Sequence, residues 1–174
     1  MPATNTTIAQ QLRTALKTAG FSTRRVTVRH DHSTLRVTIR DTSAPLSTVK
    51  TTADRFCVVR RCETTGEILC GGNTFVDVAY LPELVAPVAA EIVASLTPAA
   101  DGEVVALAGG FRAAKVSRAR GATYADEVRI WGPGFDGSNS IACGVHWAAQ
   151  RIAVAYLDAL ASARTEDNTS EVRS

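Results

Sequence analysis

The residues with the clearest capacity for chemistry are four arginines in the first forty positions. Arg25 and Arg29 alternate with Val26, Thr27 and Val28. Arg36 and Arg40 alternate with Leu35, Val37, Thr38 and Ile39. A period of two predicts half-buried strands over 24–30 and 34–40, with aliphatic side chains on one face and Arg/Thr on the other. Asp31, His32 and Ser33 supply a turn. A loop at 31–34 then sets Arg29 opposite Arg36, Thr27 opposite Thr38 and Arg25 opposite Arg40. Like charges directly opposed destabilise a sheet. The pattern therefore asks for a counter-charge: a phosphate backbone, an acidic partner protein, or carboxylates from the second half of the chain. Guanidinium forks hold phosphate oxygens bidentately, and threonine hydroxyls add shorter-range hydrogen bonds. Arg24, Arg60 and Arg61 add charge nearby, and His30 falls on the inner face.

Phe75 belongs to a strand-like run, TFVDVAY. If Val76, Val78 and Tyr80 face the core, its ring lies on the open face, where it could stack a base. Aromatic residues make up only 6% of the chain, which argues against an extended ring platform for single strands. A second basic cluster, Arg112, Lys115, Arg118 and Arg120, could extend the surface.

Other chemistry is less well supported. Gly132-Pro133-Gly134-Phe135-Asp136-Gly137 matches G-x-G-x-x-G between a strand-like and a helix-like segment. A loop over 132–140 there would offer amides of Gly134, Gly137 and Ser138 to an anion or nucleotide. No second βαβ unit follows, however, and the acid expected about twenty residues on would fall inside the same helix. A chain-turning loop is the plainer reading. Cys57, Cys62 and Cys70 have the spacing C-x4-C-x7-C, not the tight knuckle of structural zinc. Cys143 and His146 share a helix face, but buried thiols and a satisfied histidine are commoner than ligands. No metal and no cofactor are assigned. None of the three histidines is tied to a serine or cysteine nucleophile. Asp31 beside His32 reads as a turn pair, and Asp77 and Glu67 sit in ordinary strand and turn contexts. No catalytic residue is assigned, and the reading leans away from an enzyme. A site between the two halves of the chain is the alternative.

The elements that must position these groups follow from periodicity and punctuation. Residues 6–19 form a helix stopped by Gly20; 46–56 a second helix; 57–62 and 74–80 strands. A third helix, 84–96, enters through Pro82 and leaves at Thr97-Pro98. TPAADG (97–102) marks a boundary. Strands follow at 103–108 and 127–131, then a helix over 141–163 capped by Ser138 or Ser140, and a disordered tail. The expected fold class is α+β: an antiparallel sheet packed on one face by helices. Residues 1–97 give a helix–hairpin–helix–hairpin–helix module. Residues 101–164 add strands, the Gly-rich loop and a long helix to the same body, and 165–174 form the tail.

Length and composition suit one such globular domain, with 45% apolar and 21% charged residues in 174. No apolar run is long enough to span a membrane, so no membrane partner is expected. The start, MPATNTTIAQQLRTALK, lacks a basic segment followed by an apolar one, which argues against secretion and for reduced thiols. A net charge of +2 hides a segregation. Residues 1–60 hold ten Lys+Arg and three Asp+Glu, or +7; the rest hold nine and fourteen, or −5. A positive field of this kind recruits anions.

The stretch LRTALKTAGFSTRRVTVRHDHSTLRVTIRD, followed by TTGEILCGGNTFVDVAY, resembles one of the large polyvalent protein-associated domains of phages and conjugative elements. The likeness covers residues 8–80. Its most specific part is Thr65-Gly66-Glu67-Ile68-Leu69, then Gly71-Gly72-Asn73-Thr74-Phe75-Val76. The resemblance implies a mobile-element protein acting in the cytoplasm of an invaded bacterial cell, on DNA or against host defences. Together these readings anticipate a non-enzymatic protein that binds nucleic acid, or a host protein handling it. Self-association through the basic face is a structural alternative.

Overall fold

Helix α1 (Asn5–Thr18) buries Ala9, Leu12 and Leu16 on one stripe, as helical spacing requires. It ends in a Schellman motif. The Gly20 amide donates to Lys17 O at 3.0 Å and the Phe21 amide to Leu16 O at 2.9 Å. Gly20 takes φ 88, a conformation that a Cβ would penalise. Strands β1 (Val26–Asp31) and β2 (Thr34–Ile39) form the expected hairpin, closed by His32 and Ser33 alone, with His32 at φ 50. Helix α2 (Leu46–Asp54) and strand β3 (Phe75–Tyr80) follow. The structure, a computed structural model, describes residues 5–117 and 126–171.

The sheet runs β1-β2-β3, with β1 antiparallel and β3 parallel to β2. The parallel pair replaces the second hairpin anticipated from 57–62 and 74–80. Helix α2 is the reason: a helix between two strands returns the chain to the end where it began, as a parallel neighbour needs. Residues 57–62 form no strand. The segment 57–73 is a mostly exposed arm, held by the isolated bridges Val58–Thr74 and Arg61–Ile68, with Thr74 itself buried. Val26, Val28, Leu35, Val37 and Ile39 are all buried on the sheet's inner face. Helices α1 and α2 contact this sheet and each other. Each such aliphatic side chain contributes about 1.5–3 kcal/mol. A slip of one residue would trade these side chains for arginines, so the core fixes the hairpin register.

The chain divides into two compact units, Met1–Leu81 and Pro82–Ser174. Helix α3 (Pro82–Leu96) therefore groups with the second unit, not the first as the 97–102 boundary implied. The second unit continues with β4 (Val104–Ala106), a 3-10 turn at Ala108–Gly110, β5 (Arg112–Ser117), β6 (Asp126–Gly132), β7 (Phe135–Cys143) and α4 (Val145–Glu171). Its sheet is antiparallel, in the order β4-β5-β6-β7. Ile92 and Leu96 of α3, and Ala148, Ala149, Ile152 and Ala153 of α4, pack against Ala113, Val128 and Ile130 of the sheet, with Phe111 beside them.

The α+β class holds, with two sheets in place of one. Three local expectations change in the second unit. Residues 141–143 end β7, so α4 starts at Val145, and Ser138 and Ser140 lie in a strand, not at a helix cap. The basic stretch after Phe111 is a strand. Residues 165–171 continue α4 where a disordered tail was expected. Among the described residues, no helix is long and apolar enough to cross a membrane.

Candidate functional site

The register of the first sheet sorts its open face into rows across the strands. Arg29 faces Arg36, and Arg36 faces Asp77; Thr27 faces Thr38, and Thr38 faces Ala79; Asp31 faces Thr34, and Thr34 faces Phe75. The Arg40 amide donates to Arg25 O at 2.7 Å, which continues the ladder one step and opposes Arg25 to Arg40. The pairing expected from alternation is therefore present. Thr27, Arg29, His30, Asp31, Arg36, Thr38, Arg40 and Leu81 line an open depression of about 590 Å³ on this unit.

The four arginines are not equivalent. Arg25 is half-buried and committed to the fold. Its Nη2 donates to Ser43 O at 2.8 Å and to Ser43 Oγ at 2.7 Å, and its Nε lies 3.4 Å from Asp41 Oδ2. Ser43 in turn donates from N and Oγ to Asp41 Oδ1, at 2.8 and 2.7 Å. The guanidinium also sits 5.9 Å from the Phe21 ring centre. This clamp ties the entry of β1 to the loop before α2 and gives Arg25 a structural role. Arg36 is exposed and pairs with Asp31 at 3.2 Å. Among the described residues, Arg29 and Arg40 make no ion pair, and both are exposed.

Phe75 emerges on the open face as anticipated, 36% exposed, while Tyr80 is buried and donates from its hydroxyl to Ala44 O at 3.1 Å. Asp77, two residues on, is exposed on the same face. The strand spacing of TFVDVAY placed Asp77 beside Phe75, but only the parallel pairing brings it next to Arg36. Glu67 lies in the arm, away from Asp77 in sequence, and accepts a hydrogen bond from the Thr65 hydroxyl at 3.3 Å.

The two described members of the second basic cluster do not share a face. Arg112 and Lys115 are three residues apart on a strand and so face opposite ways. Lys115 donates to Thr97 O at 2.8 Å, at the end of α3, while Arg112 is exposed opposite Trp131. Arg118 and Arg120 lie outside the described residues. The Gly-rich segment does not lead into a helix. Gly132 pairs with Phe135, so Pro133 and Gly134 turn a β-hairpin, and Ser138 belongs to β7. Gly137, at φ 79, lies where a Cβ would collide with the Trp131 indole. The helix-start geometry behind the proposed anion loop is absent there.

The cysteines also differ from expectation. Cys57 and Cys70 are exposed and Cys62 is half-buried, all three as free thiols on the arm. Hydrogen bonds from the Thr65 side chain and backbone, then from Thr64, hold the Cys62 thiol at about 7, below the ordinary 9.0. Among the described residues, no three His, Cys, Asp or Glu groups are placed to hold a metal ion. His146 is exposed at the start of α4.

No protein-family model matches this chain, and no match is found among curated proteins or solved structures.

Proposed function

We propose that the chain is a non-enzymatic nucleic-acid-binding protein whose docking surface is the open face of β1, β2 and β3. The observation that carries this reading is the opposed pair Arg29 and Arg36, with Arg40, around one solvent-open depression. Opposed guanidinium groups raise the energy of the empty face, offset only in part by Asp31 beside Arg36. A phosphate oxygen between them relieves that repulsion and gains bidentate hydrogen bonds. Thr27 and Thr38 supply hydroxyls between the two cationic rows, so a phosphate chain crossing the face meets donors at each step. In this reading no bond is made or broken, and the face occludes what it binds.

The resemblance read in residues 8–80 would place this activity in a protein of a phage or conjugative element. Within an invaded bacterial cell, such a protein would cover nucleic acid that host defences act on. The test is fluorescence anisotropy with labelled nucleic acid. Affinity should fall by tenfold or more, on the order of one decade per few phosphate contacts, between about 50 and about 200 mM salt. Arg29→Glu with Arg40→Glu should remove the binding while the fold persists by circular dichroism. Salt-independent binding, or full binding by the double variant, would reject the reading.

A further inference from the structure

The open face holds two carboxylates in different settings: Asp31 sits among the arginines and pairs with Arg36, whereas Asp77 stands on β3. Arg29, Thr27 and Thr38 lie on β1 and β2, and Arg40 follows directly after β2. Phe75 and Asp77 lie on β3, along one side of that cationic strip. Asp77 is in register with Arg36, yet Arg36 directs Nη2 to Asp31 at 3.2 Å. Among the described residues, Asp77 makes no ion pair. A polyanion gains nothing from this carboxylate, so on a purely phosphate-binding face it is a liability. It becomes useful if something other than phosphate meets it.

Phe75 is two residues from Asp77 on the same face, a rise of roughly 7 Å along the strand. A base lying on the Phe75 ring therefore extends its edge toward the Asp77 carboxylate. A carboxylate only accepts hydrogen bonds. It favours a base whose edge presents donors, and it repels the carbonyl oxygens of thymine and uracil. Guanine offers two adjacent donors, the ring N–H and the exocyclic amine, which match the two carboxylate oxygens. In a duplex that edge is occupied by pairing, so the base must be unpaired. One ring reads one base, which agrees with the low aromatic content.

Resting on the nucleic-acid reading above, we propose that Phe75 and Asp77 form a subsite for a single unpaired guanine, beside a phosphate track through Arg29, Arg36 and Arg40. The probe is a labelled thymidine octamer, compared with the same octamer carrying one central guanine. Wild type should bind the guanine octamer about tenfold more tightly, the discrimination typical of a good bidentate base contact. Asp77→Asn should abolish the preference and leave thymidine-octamer binding equal or tighter, since a negative charge is removed. Phe75→Leu should weaken both octamers while leaving binding to a duplex of the same length unchanged. Equal affinity for the two octamers in wild type, or a preference that survives Asp77→Asn, overturns the subsite but leaves salt-dependent binding through the arginines standing. Absence of salt-dependent binding to any probe overturns both.

Discussion

The two sheets carry similar numbers of basic side chains but arrange them differently. On β1 and β2, arginine and threonine alternate with Val, Leu and Ile, so every cation falls on one face and every large aliphatic group on the other. On β5 the order Arg112-Ala113-Ala114-Lys115 breaks that rhythm. Both alanines are buried, at 0% and 3% exposure, and the two cations leave by opposite faces. The first sheet therefore gathers its opposed arginines on one open face, whereas on β5 the two cations part. Strict alternation, not the count of basic residues, is what makes a surface.

The largest expected effect tests that contrast directly. Arg29→Glu with Arg40→Glu should weaken nucleic-acid binding by roughly 1,000-fold, taking about 2 kcal/mol for each reversed contact. Arg112→Glu with Arg129→Glu makes the same change in net charge on the second sheet, where both residues are exposed. It should change binding by less than about twofold, because neither residue belongs to the open face of the first sheet. Anisotropy titrations of both variants at one salt concentration decide the matter. Equal losses would mean that net charge alone governs binding and that the first sheet's geometry is irrelevant.

A second difference lies in what each sheet tolerates. The second sheet depends on a close approach at Gly137, which is buried at φ 79 against the Trp131 indole. Gly137→Val adds both a strained backbone and an overlap with that ring. We expect a loss of about 3 kcal/mol or more, read as a lower urea midpoint. Binding by the folded fraction should be unchanged. On the first sheet, Thr38→Val exchanges one exposed-face side chain for another of equal shape and should leave stability within about 0.5 kcal/mol.

Much of the first unit was legible because its information is local. The hairpin, its register, the open-face position of Phe75 and the Gly20 stop all follow from side chains within a few residues of one another. The second sheet was less legible for the same reason. Ala-rich β5 has no alternation, and Ile141-Ala142-Cys143 is an apolar run that suits a strand end as well as a helix start. Periodicity identified 74–80 as a strand but could not name its partner, so the parallel contact that sets Asp77 beside Arg36 stayed hidden. The role of Arg25 was missed because its partners, Asp41 and Ser43, lie in a loop whose path no pattern predicts.

That missed role gives the third test. Arg25→Ala removes a part-buried clamp with two hydrogen bonds to Ser43 and an ion pair with Asp41. It should cost about 2 kcal/mol of stability, the usual range for hydrogen bonds to a charged group. Arg40→Ala should cost almost none, since its guanidinium makes no ion pair among the described residues. In binding the order reverses: Arg40→Ala should weaken affinity about tenfold and Arg25→Ala by much less. Denaturant melts and anisotropy on the two variants separate a structural arginine from a docking one. If Arg25→Ala lost binding without losing stability, the clamp would be wrongly assigned.

The smallest effect concerns Arg36, which stands between these cases. It is exposed, so phosphate can reach it, but Asp31 already accepts its Nη2 at 3.2 Å. An exposed pair of this kind is worth only about 0.2–1 kcal/mol. A phosphate competing for Arg36 must displace the carboxylate, and Asp31 also repels the incoming anion. Asp31→Asn removes both penalties and keeps the side-chain shape at the hairpin turn. Affinity should therefore rise, by about three- to fivefold at low salt, and the gain should shrink as salt screens the face. The sign is the useful part. A surface that binds through Arg36 must improve when its own counter-ion is neutralised. Unchanged affinity in Asp31→Asn, with the fold intact, would show that Arg36 takes no phosphate and that the track runs through Arg29 and Arg40 alone.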